Sequence, residues 1–422
     1  EVWTVFQGTE PEPFAVEVTG VVRNALGPGK SLILCQLTDP RVQNMGAVAG
    51  MSGSPLYIEG KLAGALSYQI QRFETVHYAG FTPAADLAEV NNKASGSGPA
   101  ATALTFSADS TYKSLQPVFT LSGLSPAVAE LFAPRFAALG LNATSLGGSL
   151  AAATPGSQAA SGSSSPLRAG SAVSVALATG DITLAGTGTV SSIDGTHVTA
   201  FGHPMMSLGE VALPMCAAEI VTILPSSMQS IKIANTGAVI GTITQDRLSA
   251  VSGTLGAGPA MVEVEVTVSP QRSAARTLHF SVARQQQLTP ALVAAGVTQA
   301  IVGANDAGLA NGFRLTSNVT FPANAKLATQ TLYAGPQGFT QGLNEFVQGL
   351  AANLLNPYAK TFPDHVAFSV EPLEENPAVT IDLFQLSRTT ARGGDTVQAT
   401  LAWRDFQGAT HRDVIDLPID AK

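Results

Sequence analysis

Apolar positions along this chain recur mostly in short alternating runs punctuated by glycine and proline. In residues 1–95 the segments TVFQG, FAVEVTGVV, SLILCQL, SPLYIEG and KLAGALSY are rich in Val, Ile, Leu, Phe and Tyr. They predict strands joined by tight turns. A linker of Ala, Ser and Gly covers residues 92–102. SPAVAELFAPRFAALG then predicts a helix, with Ser125 as N-cap and Pro126 at the first helical position. Residues 147–166 are low in complexity. Strands resume at Ala172 in AVSVALATG, TGTVSSIDGTHVTAFGHP, EVALPMCAAEIVTIL and MVEVEVTVSP, with Asp194–Gly195 as a hairpin turn. After that the period changes. LTPALVAAGVTQAI predicts a helix behind a Thr-Pro start. Leu343, Phe346, Val347, Leu350 and Leu354 share one face of a second helix, which Pro357 ends. From about residue 365 the pattern returns to strands, clearest in DTVQATLAW and DVIDLPI.

The pattern divides the 422 residues into five regions. These are a β unit at 1–95, a linker and helical insert at 96–165, a second β unit at 166–270, an α+β region at 271–362 and a sandwich-like β tail at 363–422. Hydrophobic residues make up 45% and charged residues 12% of the chain, enough for real cores and too little charge for a disordered one. A net charge of −8 with no Lys/Arg cluster argues against a nucleic-acid partner. No run reaches the roughly 18 apolar residues that span a bilayer. No signal peptide is visible, and Glu1 reads as the start of a trimmed mature chain. With a polar share carried by Ser, Thr, Gly, Asn and Gln, this points outside the cytoplasm, to the periplasm, the envelope or secretion. Cys35 and Cys216 make no CxxC or zinc pattern; one disulfide and two separate buried thiols both stand as readings. No metal or cofactor is expected. NALGPGKSLIL looks like a phosphate-binding loop, but Asn24 stands where that loop needs its first glycine, so a turn at Gly27–Gly29 is the better reading. The oligomeric state is not legible.

GMSGSP, residues 50–55, changes the picture from architecture to chemistry. A serine hydroxyl becomes a nucleophile only with a base to take its proton and donors to hold the resulting oxyanion. A glycine two residues before the serine lets the chain turn so that the amides of Gly50 and Ser52 point at one spot, and Gly53 allows close approach of a substrate. A tight turn without chemistry is the plainer alternative. The loop resembles the G-x-S-G-x-P loop of chymotrypsin-like serine peptidases, down to the following hairpin with GKLAG. In that family the floor of the primary pocket lies six residues before the serine, here Gly46, with no acid nearby. The resemblance implies a preference for small or apolar side chains and an extended peptide pairing with Ala65, Leu66, Ser67 and Tyr68 as an added strand. Met51 replaces the acid with which digestive peptidases trap a new N-terminus.

TDPRVQNMGAVAGMSGSPLYIEGKLAGAL is closer still to the signature of the SpoIVB-type serine peptidases, and HVTAFGHPMMSLG resembles that family's histidine signature. The resemblance implies Ser52 as nucleophile, His203 as general base and Asp39, behind Thr38, as the group that orients the base. In the family the His segment precedes the Ser segment; here the order is reversed. That is permissible because a triad is defined by geometry rather than chain order. The implied fold is mainly β: a chymotrypsin-like double barrel in permuted order, with the α+β region and terminal sandwich appended. Rivals for the base are His77, His197, His279, His365, His411 and, as Ser–Lys pairs, Lys61 and Lys232. Glu210, Asp194 and Asp246 rival Asp39. The implied function is a serine endopeptidase acting on a peptide or protein substrate outside the cytoplasm, or on itself. The competing reading is an envelope binding or scaffold protein that keeps the fold without the reaction.

Overall fold

The structure, a computed structural model, describes residues 1–70, 76–91, 112–115, 117–141, 143–144, 148–149, 166–226, 229–269, 274–302, 311–355, 358 and 361–420. The linker at 92–102, Pro357 and nearly all of the low-complexity stretch lie outside them. The protein is mainly β, as the alternating runs require.

The first eight-stranded sheet runs Glu12–Phe14, Val2–Thr4, Pro55–Ile58, Lys61–Ile70, Tyr78–Pro83, Leu32–Leu37, Val16–Val22, with Tyr112–Ser114 added to Lys61–Ile70. Its two outer strands are consecutive in the chain, separated only by Ala15. The sheet therefore curls until its edges approach, and the covalent chain rather than a hydrogen-bonded ladder joins them. Val2, Phe14, Cys35, Leu37, Leu56, Leu66 and Phe81 fill the space inside. The turn at Gly27–Gly29 is a plain connection: Asn24 takes a left-handed conformation and its side chain accepts from the Gly29 amide.

The second sheet has 14 strands. Part of it closes on itself. Ala172–Gly180 pairs with Thr183–Asp194, which continues through His197–Ala200, Ala250–Leu255, Ile231–Arg247 and Gly209–Leu224 back to Ala172–Gly180, antiparallel throughout. Asp194 and His197 face each other, so the hairpin turn is Gly195–Thr196, one residue later than the sequence suggests. The open part of the sheet carries Met261–Val268, Arg276–Ala283, His365–Pro372, Gly312–Thr320 and Lys326–Ala334. Against it packs helix Leu288–Val302, buried on all sides, with helices Pro126–Ala138 and Gly335–Leu354 beside it.

Two expectations need correction. The region at 271–362 is not separate from what precedes it, because Arg276–Ala283 pairs with both Met261–Val268 and the closed ring. The tail is not a sandwich. His365–Pro372 runs parallel to Met261–Val268 and antiparallel to Gly312–Thr320, since its alternate residues Val366, Phe368 and Val370 complete the large core. What remains among the described residues is one three-stranded sheet, Val379–Leu386, Thr396–Asp405 and Thr410–Pro418. Cys35 and Cys216 sit in different sheets as free, buried thiols, each pushed up to about 12 by burial.

Candidate active site

Ser52 lies in the connection between helix Pro40–Gln43 and strand Pro55–Ile58. Glycine forces its shape: Gly50 and Gly53 adopt φ of +98° and +95°. A methyl at Gly53 would sit 2.0 Å from the Thr189 carbonyl oxygen, and one at Gly50 would sit 2.9 Å from Lys232 Cβ. The loop is clamped by the closed ring. The Thr189 amide donates to Ser52 O at 2.8 Å, Thr189 Oγ1 to Gly50 O at 3.1 Å and Ser191 Oγ to Gly53 O at 2.8 Å. Ala49 is held between the Ser230 carbonyl and the Lys232 amide, each at 2.9 Å. On its other side the loop is tied to its own sheet, with Gly53 N donating to Leu66 O at 2.7 Å.

The same Thr189 connects the loop to the histidine segment, because its carbonyl accepts the Phe201 amide at 3.2 Å. Next along, Gly202 O accepts from Thr82 Oγ1 at 2.7 Å, and Thr82 Oγ1 lies 2.7 Å from Ser67 Oγ. Two stretches remote in the chain thus meet at Thr189 and Phe201. Ser52 and His203 are both wholly buried, and Ser52 Oγ and His203 Nε2 have no hydrogen-bond partner among the described residues, each other included. Buried polar atoms are nearly always partnered, so the two orphans in adjoining segments call for an explanation; Gln69 Oε1, Ser114 Oγ, Ser125 Oγ and Thr236 Oγ1 are unpartnered as well. The amides of Gly50 and Ser52 likewise find no acceptor among the described residues.

His203 Nδ1 lies 2.7 Å from the Pro204 carbonyl oxygen. A carbonyl only accepts, so the neutral ring carries its proton on Nδ1 and presents a lone pair at Nε2. Burial pulls the imidazole down to about 4, against the opposing pull of the Pro204 and Leu115 backbones. The ring is therefore an unprotonated acceptor at neutral pH.

Asp39 does not orient it. Asp39 is the N-cap of helix Pro40–Gln43, accepting from the Arg41 amide at 2.9 Å and pairing with the Arg41 guanidinium at 3.0 Å, which holds its carboxyl below the usual range. An acid directly before a proline at the first helical position is a capping signal, and here that role prevails. Of its rivals, Asp246 has the position. Wholly buried, it accepts from the amides of Met205, Met206 and Leu208 at 2.7, 2.9 and 3.1 Å, the residues that follow His203-Pro204. Burial raises its carboxyl above the ordinary value while those amides pull the other way.

The remaining candidates separate cleanly. Glu210, Asp194, Lys61 and His197 are exposed. His279 is an exposed neighbour of Glu265, not a core residue, and His411 stacks on Trp403 in the terminal sheet. His365 belongs to the strand that pairs with Met261–Val268. His77 packs against Gly46, its Nδ1 3.4 Å from where a Cβ would stand, so the expected pocket floor is covered on that side by an imidazole. Lys232 is wholly buried beneath Gly50, donates to Thr4 Oγ1 at 2.7 Å and is pushed down to about 7 by burial. Ala65, Leu66, Ser67 and Tyr68 are buried, and the edge beyond Tyr68 is occupied by Tyr112–Ser114 of the same chain. Thr189, Ser191 and the Pro204 carbonyl carry no sequence signal beyond the GHP turn itself. Among the described residues no group of three or more His, Cys, Asp or Glu could hold a metal, and no helix is long and apolar enough to cross a membrane.

No curated protein and no solved structure matches the chain. The comparison that does succeed falls on the half of the site built first: residues 1–82, which carry Asp39, Ser52 and the strand Lys61–Ile70, match the family of SpoIVB peptidase S55.

Proposed function

We propose that this chain is a serine peptidase with Ser52 as nucleophile and His203 as general base, cleaving a protein outside the cytoplasm or its own chain. His203 Nε2 takes the Ser52 Oγ proton as Oγ attacks the peptide carbonyl carbon. The amides of Gly50 and Ser52 receive the oxyanion, and Nε2–H then protonates the leaving amine. Water, deprotonated by the same nitrogen, releases the acyl group. The imidazolium formed midway is faced by the Pro204 carbonyl instead of a carboxylate, a weaker partner than a triad acid supplies. The observation that carries the reading is the pair of buried, unpartnered atoms Ser52 Oγ and His203 Nε2 in segments joined through Thr189. The family match over residues 1–82 supports the same class of reaction.

The complete burial of both side chains favours a second reading, a scaffold that retains the loop without turnover. A fluorophosphonate probe separates the two. Ser52-dependent labelling, absent in Ser52→Ala and in His203→Ala, supports the peptidase. A folded protein that never labels supports the scaffold.

A further inference from the structure

Strand Lys61–Ile70 pairs with Tyr78–Pro83 along one edge, and on the other Pro55–Ile58 covers only Lys61–Ala65. Tyr112–Ser114 pairs there antiparallel, Tyr68 against Ser114, Gln69 against Lys113 and Ile70 against Tyr112. The ladder continues one residue further, where the Leu115 amide donates to the Ser67 carbonyl at 2.9 Å. Leu115 is wholly buried in the cluster that contains Ala47, Val48 and Met51 of the nucleophile loop and Leu66 of the strand. Its main chain adjoins the His203 ring. Lys113, two residues back, is exposed.

Main-chain pairing of this kind is what an extended peptide makes when it binds by strand addition, and it supplies much of the affinity. We propose that Tyr112–Leu115 is an internal occupant of the substrate groove, with Leu115 in the primary pocket. The groove then takes extended peptides that present a leucine-like side chain between the nucleophile loop and strand Lys61–Ile70, and it stays closed to them while the chain's own strand is seated. The inference rests on the peptidase reading for the identity of the groove. It goes beyond that reading by assigning the occupant and the side chain the pocket prefers. The Leu115 side chain packs among apolar ones, Ala47, Val48, Met51 and Leu66 included, which is what a leucine-like side chain requires.

The test compares wild type with Leu115→Ala, which empties the pocket, and with Lys113→Pro, which removes an amide from the added strand while leaving Leu115 in place. Ser52→Ala serves as the blank. Fluorophosphonate labelling of Ser52 should speed up about tenfold or more in either variant, because the open state is no longer a minor fraction. An added acetyl-Tyr-Lys-Ser-Leu peptide should slow it again, and the same peptide ending in Asp should not. Equal Ser52-dependent labelling in all three proteins, unaffected by peptide, overturns the occupant and leaves the peptidase reading standing. If no protein labels, the peptidase reading has failed. Fluorescence anisotropy of the labelled peptide on Leu115→Ala then decides the groove alone: saturable binding that prefers Leu over Asp supports the occupant, and its absence overturns it.

Discussion

The Asp246 carboxylate accepts the backbone amide of Met205 at 2.7 Å, two residues beyond His203. With Met206 and Leu208 as further donors, one buried acid fixes the turn on which His203 stands. Asp246→Asn keeps the shape but replaces an acceptor oxygen with an amino group facing backbone N–H donors. Leaving such donors unsatisfied costs about 1–3 kcal/mol. The expected outcome is a lower melting temperature together with a fall in kcat of about tenfold or more, with KM nearly unchanged because the substitution leaves the edge at Ser67–Ile70, proposed above to take peptide, untouched.

Asp39 gives the converse result. Asp39→Asn retains a capping side chain, so stability should change by less than about 1 kcal/mol, and Asp39→Ala should cost about 1 kcal/mol. Neither should alter the labelling rate of Ser52 by more than about twofold, whereas loss of a triad acid lowers turnover by about 10⁴. Labelling kinetics beside a urea titration read both quantities.

The buried imidazole sets an acid limb. Its folded value of about 4 lies below the unfolded value near 6.5. Between those values the unfolded chain holds a proton that the native state lacks, so stability falls as pH drops from 6.5 towards 4. The slope approaches about 1.4 kcal/mol per pH unit for this one group. Urea midpoints measured from pH 7 to 4.5 should show that loss, and His203→Gln should reduce it. Labelling of Ser52 should persist below pH 6, where an ordinary histidine base is already protonated.

Lys232 is strained in the same sense at higher pH. Its amine sits at about 7 when folded against 10.5 when free. As pH falls from 10.5 to 7 the unfolded chain takes up the proton first, and native stability is lost. Lys232→Met keeps the stem beneath Gly50 without that cost. At neutral pH it should gain about 1–2 kcal/mol net of the unpartnered Thr4 hydroxyl. Retained Ser52 labelling in this variant excludes a Ser–Lys pair, and its abolition would install one.

What the sequence revealed follows from how local each signal is. The GMSGSP turn was legible because glycines at 50 and 53 are steric necessities, and the first residue to break the pattern would meet Thr189 or Lys232. The helices at 126–138 and 288–302 follow their Ser-Pro and Thr-Pro starts, whereas 335–354 follows its apolar spacing and begins earlier than that spacing shows, at Gly335-Pro336. Asp39 misled because its place behind Thr38 matches the family signature while its neighbour Pro40 suits a cap, and only coordinates show which geometry the chain adopts. The destination of His365–Pro372 was hidden for a related reason. Its alternation says that one face is buried, but not against which sheet. Tyr112–Leu115 has almost no pattern of its own; its place is decided by the free edge it meets.

The clamp on the nucleophile loop also orders events in time. Residues 1–82 leave the ribosome with Ser52 in hand, but Thr189, Ser191, Phe201, Ser230 and Lys232, which brace that loop, are synthesised much later. Strand His365–Pro372, which lies between Met261–Val268 and Gly312–Thr320 in the large sheet, is made later still. A half-made chain therefore carries the Ser52 loop without the segments that brace it, and the loop takes its final geometry only once residue 232 has been made.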